Sequence, residues 1–540
     1  MQLRINGLTL SLGEPQTLLP ARAAALLGLP QAAVTGLEVL RRSLDARRSR
    51  PPRFVYLAAL SVPDGFAIPA DFPPGVTIVT MADRHGEGRE GPPAHRPAPP
   101  RLRPIVIGCG PAGLFAALTL VRQGIPVLLL ERGKPVPERV GDVQAFWERG
   151  ILNPESHVHF GEGGAGTFSD GKLTTRIRNP YTDWVKGVMT AMGAPAEILA
   201  EARPHIGTDR LRTLVMNLRR HLQELGCEIR FQARVTDWLV REGRLRGVVV
   251  NGDQEIPSDY LVLAIGQSAD DAYRRLTERG VAMETKPFAV GLRLEHPQEV
   301  IDRIQYGSWA GHPELPPADY FLTAKIGPLE RSVYSFCMCP GGRVIGCAAM
   351  PGGVITNGMS CFARDGAYAN SAVVVNVRRE DMEAADPLAG LVFRRDIETQ
   401  AFAAGGEDYF APAQRLTGFL SGRSDGEIGP CSFLPGVRHA DLRALLPPFI
   451  GTALKEGLAA FGRKMPEFVT AEAMLIGVET RTSSPVRILR GEDGQSPTVR
   501  GLFPCGEGAG YSGGIISSAL DGIRAAERLT QSLAGGGHQG

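Results

Sequence analysis

The sequence has few of the features that mark secreted, zinc-binding or membrane-spanning proteins. Its eight cysteines are scattered over 540 residues and include no CxxC pair. Their scatter argues against a disulfide framework or a zinc ribbon and favours a reducing compartment. No apolar run approaches the roughly 18 residues of a membrane span. The first residues contain no long apolar run after their charge, so we expect no signal peptide. We therefore predict a cytoplasmic protein without a metal site.

A strong charge of either sign is also absent. Lys and Arg number 59 and Asp and Glu number 57, for a formal net charge of +2. This balance gives no electrostatic case for a nucleic-acid ligand of the whole chain. With 43% hydrophobic residues, the chain has an ordinary composition and is long enough for two or three domains.

Residues 84–103 are rich in proline, glycine and charge and divide the chain into unequal parts. Such a segment buries little apolar area and predicts a linker. Before it, residues 1–83 predict a small N-terminal α/β domain. The expected elements of that domain are a strand at 3–10, helices at 20–27 and 31–45, and strands at 54–59 and 77–80.

Arginines are concentrated at the end of the second predicted helix and in the turn that follows. They are Arg41, Arg42, Arg47, Arg48, Arg50 and Arg53. Positive charge at a helix C-terminus complements the helix dipole, so a solvated helix end explains the cluster. The alternative is a surface for RNA or a protein partner, although no aromatic residue lies among these arginines.

The most informative motif lies at residues 101–131, where a short apolar strand runs into Gly108-x-Gly110-x-x-Gly113. An apolar helix and a second strand follow, and the second strand ends at Glu131. This is the order of a dinucleotide-binding βαβ unit. The helix N-terminus favours phosphates, and Glu131 is placed to accept hydrogen bonds from a ribose. A simple NAD site here is a weaker alternative.

A second glycine-rich turn, residues 505–514, lies near the C-terminus between a strand and an amphipathic helix. An extended FAD molecule needs two such sites, one for its ADP half and one for its ribitol and flavin ring. A helix starting near Gly513 would place its positive end where negative charge builds on flavin reduction. We therefore predict FAD as the cofactor, held without a covalent bond because no His or Cys stands out as an attachment point.

These segments resemble the glutathione-reductase-like FAD superfamily and, more closely, uncharacterised bacterial FAD-dependent dehydrogenases. Outside the two turns, the resemblance is carried by residues 161–173, 205–210, 263–268, 286–291, 336–342 and 477–485. It implies an α/β fold with a discontinuous Rossmann-like FAD-binding domain of the glutathione-reductase type. That domain would be built from residues 104–270 and 465–535, with an inserted strand-rich α+β substrate domain at 271–464 and a disordered tail at 536–540.

The resemblance also implies a set of cofactor contacts. The ADP half would meet Gly108, Gly110, Pro111, Ala112, Gly113, Glu131, Arg132, Arg139, Val235, Ile265 and Gly266. The ribityl chain and flavin would meet Gly163, Gly164, Thr167, Ser169, Gly506, Glu507, Gly513, Gly514 and Ile515.

Two features of the superfamily's disulfide reductases are missing. The window 160–172 contains no cysteine where they carry CxxxxC, and no second GxGxxG unit for NADPH is found. NADH or NADPH would therefore enter the flavin pocket as a transient reductant, or a protein redox partner would exchange the electrons.

Cys337 and Cys339 lie in a predicted hairpin. Spaced two apart on an extended strand, both thiols would point to one face, with Cα atoms roughly 6.6 Å apart, at the upper limit for a disulfide. A redox pair is disfavoured unless the strand bends at Pro340. We interpret both as buried small hydrophobes, and a thiol of Cys337 lining the flavin pocket is the alternative.

Three further side chains are catalytic candidates, each with a structural alternative. His205 could transfer protons beside the flavin or cap local backbone. Arg481 could bind an anionic substrate or stabilise reduced flavin, or it could pair with Glu479. Lys172 could face the flavin or be solvated.

Together, these patterns predict an FAD-dependent oxidoreductase that moves a hydride or electrons between FAD and a small organic substrate. Two alternatives stay open: a flavin-dependent RNA-modifying enzyme that holds RNA with its arginine-rich domain, and a non-catalytic electron carrier. The sequence specifies neither the substrate nor the oligomeric state.

Overall fold

The computed structural model describes residues 1–47, 50–68, 71, 73–80, 91–93, 100–382, 385–423 and 426–535. Most of the predicted linker lies outside these residues, as do Arg48 and the predicted tail. Within the described residues, no helix is long and apolar enough to cross a membrane. The same residues include no group of histidine, cysteine or acidic side chains arranged to hold a metal ion.

A four-stranded antiparallel sheet with one helix packed against it forms the N-terminal domain. Its elements are β1 (Gln2–Ser11), α1 (Leu19–Leu27), β2 (Thr35–Asp45), β3 (Arg53–Ser61) and β4 (Thr77–Thr80). The sheet order is β2-β3-β1-β4. Leu3 and Ile5 of β1 point to the same face, where they share an apolar cluster with Leu19 and Ala23 of α1.

The predicted helix at 31–45 is wrong, because residues 35–45 form the edge strand β2. This strand pairs antiparallel with β3. Backbone pairing with a neighbouring strand overrides the local helix propensity of this segment, and its β-branched residues suit a sheet. Of the described arginines of the cluster, Arg41 and Arg42 therefore lie on an edge strand, Arg47 and Arg50 in the turn after it and Arg53 at the start of β3, and none lies at a helix end.

The main body begins with the predicted βαβ unit and ends with a strand, a turn and a helix. Its first elements are β5 (Ile105–Ile107), α2 (Pro111–Arg122), β6 (Leu128–Leu130), α3 (Val136–Arg149), α4 (Thr182–Ala191), α5 (Thr208–Glu224), β7 (Glu228–Arg230), β8 (Val235–Arg241), β9 (Arg244–Val250), β10 (Gln254–Pro257), β11 (Leu261–Leu263) and α6 (Asp270–Glu278). The middle elements are β12 (Met283–Thr285), β13 (Phe288–Pro297), α7 (Gln298–Tyr306), β14 (Thr323–Ile326), β15 (Arg331–Gly346), β16 (Thr356–Met359), β17 (Tyr368–Val377), α8 (Ala389–Ala404), β18 (Ala411–Arg415), α9 (Leu416–Ser421), β19 (Val437–His439), α10 (Leu442–Leu445), α11 (Pro448–Lys464) and β20 (Met474–Glu479). The last are β21 (Val486–Ile488), β22 (Leu502–Pro504) and α12 (Ile515–Gly535).

A parallel sheet with the order β22-β11-β5-β6-β7 forms the core of the first and last segments. Its central strands are wholly apolar and buried, as expected for strands covered on both faces. Val106 and Leu129 pack with α2 and α12 on one face. Ile105 and Leu128 pack with the antiparallel strands β8 and β9 on the other. The predicted α/β class is confirmed.

The middle segment forms a large, mostly antiparallel sheet with the order β14-β15-β17-β13-β20-β18-β19, and β16 pairs with β15. The predicted boundary between residues 464 and 465 is wrong, because β20 lies between β13 and β18 within this sheet. A short buried apolar strand has the same composition in the parallel sheet and in the large antiparallel sheet. The sequence pattern therefore does not show to which of the two sheets β20 belongs. The predicted boundary after residue 270 lies too early in the chain. Helix α6, which follows it, packs in the same apolar cluster as β8 and β9 and therefore belongs with the first segment.

Candidate active site at the edge of the parallel sheet

A cavity of about 420 Å³ lies at the carboxyl ends of β5, β6 and β11 and extends to the large sheet. Open α/β sheets bind their ligands at this edge, and the volume is within the range of roughly 300–1,000 Å³ typical of ligand sites. Its walls come from segments that are distant in the chain, including the turn after β5, the loop before α4, the turn before α12, the middle of β15 and the end of β20.

Most of the predicted cofactor residues line this cavity. They are Gly108, Gly110, Pro111, Ala112, Glu131, Arg132, Gly164, Ser169, Val235, Ile265, Gly266, Gly506, Glu507, Gly513, Gly514 and Ile515. Three of the catalytic candidates, Lys172, Cys337 and Arg481, line it as well. The fold therefore brings the two glycine-rich turns and these candidates to one site.

Two glycines at the turn after β5, Gly108 and Gly113, have no room for a side chain. A Cβ atom on Gly108, whose φ is +99°, would lie 2.3 Å from the carbonyl oxygen of Ala264. A Cβ atom on Gly113 would lie 1.8 Å from the carbonyl oxygen of Gly108. Gly113 itself does not line the cavity, unlike Gly108 and Gly110, and its contact with the pyrophosphate stays a prediction. It acts by letting α2 approach the turn, which brings the N-terminus of α2 to the cavity.

Backbone donors hold the carboxylate of Glu131 in place at the end of β6. Its Oε2 accepts a hydrogen bond from the N–H of Cys109 at 2.8 Å, and its Oε1 accepts from Gly133 and Gly161 at 2.9 Å each. Each carboxylate oxygen has further acceptor capacity. Glu131 is thus an anchored acceptor in the position at which a dinucleotide site binds a ribose.

Three features of the cavity fit an extended dinucleotide. Gly110 and Gly514 lie at the cavity wall immediately before α2 and α12, so two helix N-termini with partial positive charge face the site. At the N-terminus of α2, the turn after β5 leaves space for phosphates. The buried Oε1 of Gln267 and Oγ of Ser268 have no hydrogen-bond partner within the described part of the chain, and both residues line the cavity.

The predicted contact of Arg139 with the cofactor phosphates is wrong. Arg139 is completely buried and does not line the cavity. Its guanidinium donates hydrogen bonds to the carbonyl oxygens of His157 at 2.9 Å, Val158 at 2.8 Å, Glu162 at 2.6 Å and Gly164 at 2.9 Å. Arg139 therefore fixes the loop at residues 157–164, whose last residue, Gly164, lines the cavity.

Gly163 and Thr167 also lie behind the wall and not in it, which corrects their predicted flavin contacts. The N–H of Gly163 donates to the carbonyl oxygen of Cys109 at 2.8 Å. The hydroxyl of Thr167 donates to the carbonyl oxygen of Glu162 at 2.9 Å. Neighbouring residues of a tight glycine-rich loop face opposite sides, and sequence pattern does not show which side each one faces.

His205 does not line the cavity, and its catalytic role stays a prediction. Its Nε2 lies 3.0 Å from the carbonyl oxygen of Phe362, and its ring stacks on the Phe362 ring with centroids 5.4 Å apart. Burial lowers the pKa of the imidazole, and the positive charge of Arg364 lowers it further. His205 thus contacts the backbone of a distant segment, whereas its structural alternative placed it against local backbone.

Strand β15 bends at Cys337, earlier than the expected bend at Pro340. Cys337 has a left-handed φ of +47°, and the register with β17 shifts between Phe336 and Cys339. Cys337 lines the cavity, whereas Cys339 is completely buried. The interpretation of both cysteines as buried hydrophobes therefore fits Cys339, whereas Cys337 is only partly buried and borders the cavity.

Lys172 is paired on the cavity wall and is not simply solvated. Its ammonium lies 2.7 Å from Oδ2 of Asp170 and 3.8 Å from Sγ of Cys339. Arg481, in contrast, does not pair with Glu479 as its structural alternative assumed, but with Glu398. Both cations thus have fixed carboxylate partners next to the cavity.

Sequence reasoning missed several polar residues of the cavity. They are His159, Gln267, Ser268, Asn357 and Glu479. Burial raises the pKa of Glu479 to about 7, although Arg293 opposes the shift. Burial likewise raises the pKa of Glu507 to about 7, against the influence of Lys286. Glu479 lies two residues before Arg481 in the chain, and this spacing was the one signal that could have placed it at the site.

The chain is similar to a family model and to several known proteins. Residues 287–482 match the family model described as "FAD-dependent protein, C-terminal domain-like", and residues 1–61 match a domain of unknown function. An uncharacterized protein of Clostridium beijerinckii is 41% identical over 536 residues, which cover 98% of this chain and 99% of the relative. Protein FixC of Escherichia coli is 29% identical over 206 residues, or 37% of this chain and 45% of FixC. The crystal structure of CtdE in complex with FAD aligns with 80% of this chain and 88% of CtdE, at 13% identity and a TM-score of 0.31.

Proposed function

The chain belongs to the same family as its full-length Clostridium relative and has FAD as its cofactor, and from this premise we propose that it is an oxidoreductase. It would exchange a hydride or a pair of electrons between FAD and a small organic substrate that enters the same cavity. The observation that supports this most directly is the position of Lys172, Cys337 and Glu479 on the wall that also carries Gly513 and Gly514.

We place the ADP half of FAD against the turn after β5 and the flavin against the turn before α12. Gly108 and Gly110 would face the pyrophosphate at the N-terminus of α2, and Glu131 would accept hydrogen bonds from the ribose hydroxyls. Glu507, whose Oε1 accepts a hydrogen bond from Gln267 at 3.0 Å, would accept from a ribitol hydroxyl. When bound, FAD supplies two-electron redox chemistry that no amino-acid side chain provides alone.

The side chains at the flavin end then have distinct tasks. Glu479 has a pKa raised to about 7 by burial, so its carboxyl group is suited to take up or release a proton near neutral pH. Lys172, fixed by Asp170, supplies positive charge at the cavity wall. Arg481 supplies a second positive charge that could bind an anionic group of the substrate. Phe336 contributes apolar surface to the same wall.

A small substrate is favoured over RNA by the pairing of the arginine-rich segment. Arg42 forms an ion pair with Glu201 of the main body. Arg47, Arg50 and Arg53 all lie within ion-pair distance of Asp45. Carboxylates therefore offset part of the charge that would contact phosphates. A protein that exchanges electrons with the FAD remains compatible with this proposal as the donor or acceptor.

The test is anaerobic reduction of the purified protein, followed by its absorbance spectrum. The protein is mixed separately with NADH, NADPH and dithionite, and FAD is released by heat and quantified. We expect bound FAD that dithionite bleaches. Bleaching by a nicotinamide would identify the donor and direct the substrate search to acceptors. If only dithionite bleaches the flavin, the search turns to donor substrates or a protein partner.

Lys172→Met tests whether the wall takes part in the reaction. We expect normal FAD content and slower flavin reduction by the identified donor. The matched control is Lys186→Met, because Lys186 pairs with Asp183 on α4 and does not line the cavity. A protein that binds FAD but accepts electrons from no small molecule or protein tested would contradict the proposed oxidoreductase function.

A further inference from the structure

Strand β15 is irregular between Cys337 and Cys339. Cys337 has a left-handed backbone, and the register with β17 shifts between Phe336 and Cys339. The Sγ of Cys339 donates a hydrogen bond to the carbonyl oxygen of Cys337 at 3.4 Å. The geometric objection to a bond between them, which assumed an extended strand, therefore does not hold.

Two cations flank this pair. Lys172 Nζ lies 3.8 Å from Sγ of Cys339. Nη2 of Arg293, a completely buried residue, lies 3.5 Å from the same sulfur and 2.8 Å from the carbonyl oxygen of Cys337. The acidic groups nearby are already engaged, since Asp170 pairs with Lys172 and Glu479 accepts from Arg293.

This environment favours a thiolate on one member of the pair. The interaction with Cys339 lowers the pKa of the Cys337 thiol well below its usual range, and Lys172 and Arg293 lower it further. A cysteine with positive neighbours and a lowered pKa is the kind that reacts in redox exchange. None of the other described cysteines has a lowered thiol pKa.

The pair is also placed asymmetrically with respect to the cavity. Cys337 lines it together with Glu507, Gly513 and Gly514 of the C-terminal turn, whereas Cys339 is completely buried. One cysteine thus borders the space that we assign to the flavin, and the other lies in the protein interior two residues further along the strand.

We propose that Cys337 and Cys339 are a redox-active dithiol that exchanges two electrons with the bound FAD. In the oxidising direction both S–H bonds break, one S–S bond forms between the two cysteines, and the two electrons and two protons pass to FAD as the oxidant. In the reverse direction reduced FAD returns them and the S–S bond breaks. This inference rests on the proposed function, because it requires FAD in the cavity.

The test counts electrons and thiols in the FAD-loaded protein. The oxidised protein is titrated with dithionite without oxygen, and a second sample is alkylated under denaturing conditions before digestion and mass spectrometry. We expect uptake of four electrons per FAD, two by the flavin and two by the disulfide. We also expect a peptide containing both cysteines that lacks two hydrogens and carries no alkyl group. After reduction, both cysteines are alkylated.

Cys337→Ser and Cys339→Ser should each take up two electrons per FAD and show no such peptide. The control is Cys361→Ser, because Cys361 is exposed and lies outside the cavity, and it should keep four. If the wild-type protein takes up two electrons and both cysteines are alkylated, the dithiol is excluded while the flavoprotein function stands. If a serine variant does not fold, the mass measurement on the wild-type protein decides whether the two cysteines form a disulfide.

Discussion

The guanidinium of Arg481 forms a double hydrogen bond with the carboxylate of Glu398, which lies 83 residues earlier in the chain. Nε donates to Oε1 at 3.1 Å and Nη2 donates to Oε2 at 3.0 Å. Both side chains are almost fully buried, and Asp270 lies 3.9 Å from Nη1 of Arg481. The position of Arg481 at the cavity wall thus depends on Glu398 of α8, a helix that carries no recognisable sequence motif.

Loss of this partner should strongly destabilise the protein. Glu398→Ala would leave the charge of Arg481 buried without its main partner, and breaking a buried pair in this way costs about 3–5 kcal/mol. Chemical denaturation followed by circular dichroism measures the change. The control is Asp319→Ala, because its partner Arg203 is exposed and such surface substitutions change stability by about 0.5 kcal/mol or less. Equal effects of the two variants would contradict the assigned importance of the buried pair.

Gly113→Ala should abolish FAD binding. The added Cβ would lie 1.8 Å from the carbonyl oxygen of Gly108, so α2 would have to move away from the turn that we assign to the pyrophosphate. The ratio of flavin to protein absorbance measures the loss. Gly141→Ala is the matched control, because Gly141 lies within α3 and a Cβ there meets no atom within 4 Å. We expect the control to retain FAD and to gain roughly 0.5–1 kcal/mol of stability.

The elements that were predicted within a residue or two are those with local signals. The strands β5 and β6 and the helix between them follow from an apolar run, a glycine turn and a second apolar run, all within one stretch of chain. The strands β1 and β4 were placed in the same way. The turn before α12 was also found from its glycines, so the two motifs predicted the two helix N-termini at the cavity wall.

The features that were not predicted depend on distant pairing. Residues 35–45 form a strand because β3 lies beside them, and β20 belongs to the large sheet because β13 and β18 flank it. The partner of Arg481 is Glu398, not the neighbouring Glu479, for the same reason. Likewise, the bend at Cys337 has no local breaker residue, since a left-handed cysteine is uncommon.

Arg139 should control FAD binding without touching the cofactor. Arg139→Met would remove a donor from the carbonyl oxygens of His157, Val158, Glu162 and Gly164. The oxygen of Glu162 keeps the Thr167 hydroxyl as a donor, and each buried acceptor that is left unpaired costs about 1–3 kcal/mol. The loop ending at Gly164 would lose its fixed position, and we expect the Kd for FAD to rise at least about tenfold.

The dissociation constant is measured by fluorescence on protein stripped of its flavin. Arg139→Lys should recover only part of the affinity, because one ammonium has fewer donors than the guanidinium and lacks its fork geometry. An unchanged Kd in Arg139→Met would show that the loop holds its position without this residue.

The carboxyl group of Glu479 should make stability fall as pH rises. Burial raises its pKa in the folded protein to about 7, from the ordinary 4.5. Between these two values the folded state binds more protons than the unfolded state, so the free energy of unfolding decreases with rising pH. The contribution is present below about pH 4.5 and is lost as pH rises through about 7, and its full size is on the order of 3 kcal/mol.

Glu479→Gln removes this dependence, because the amide resembles the protonated carboxyl and does not titrate. Relative to the wild-type protein, we expect the variant to gain stability between pH 5 and 7.5, measured by denaturation at each pH. Glu507 has a similarly raised pKa and is still present in the variant, so part of the pH dependence should remain. Glu492→Gln serves as the control, since Glu492 lies outside the cavity. A variant whose stability follows the wild-type pH profile would show that Glu479 is ionised throughout this range, and its proposed exchange of protons at the cavity would then fail with it.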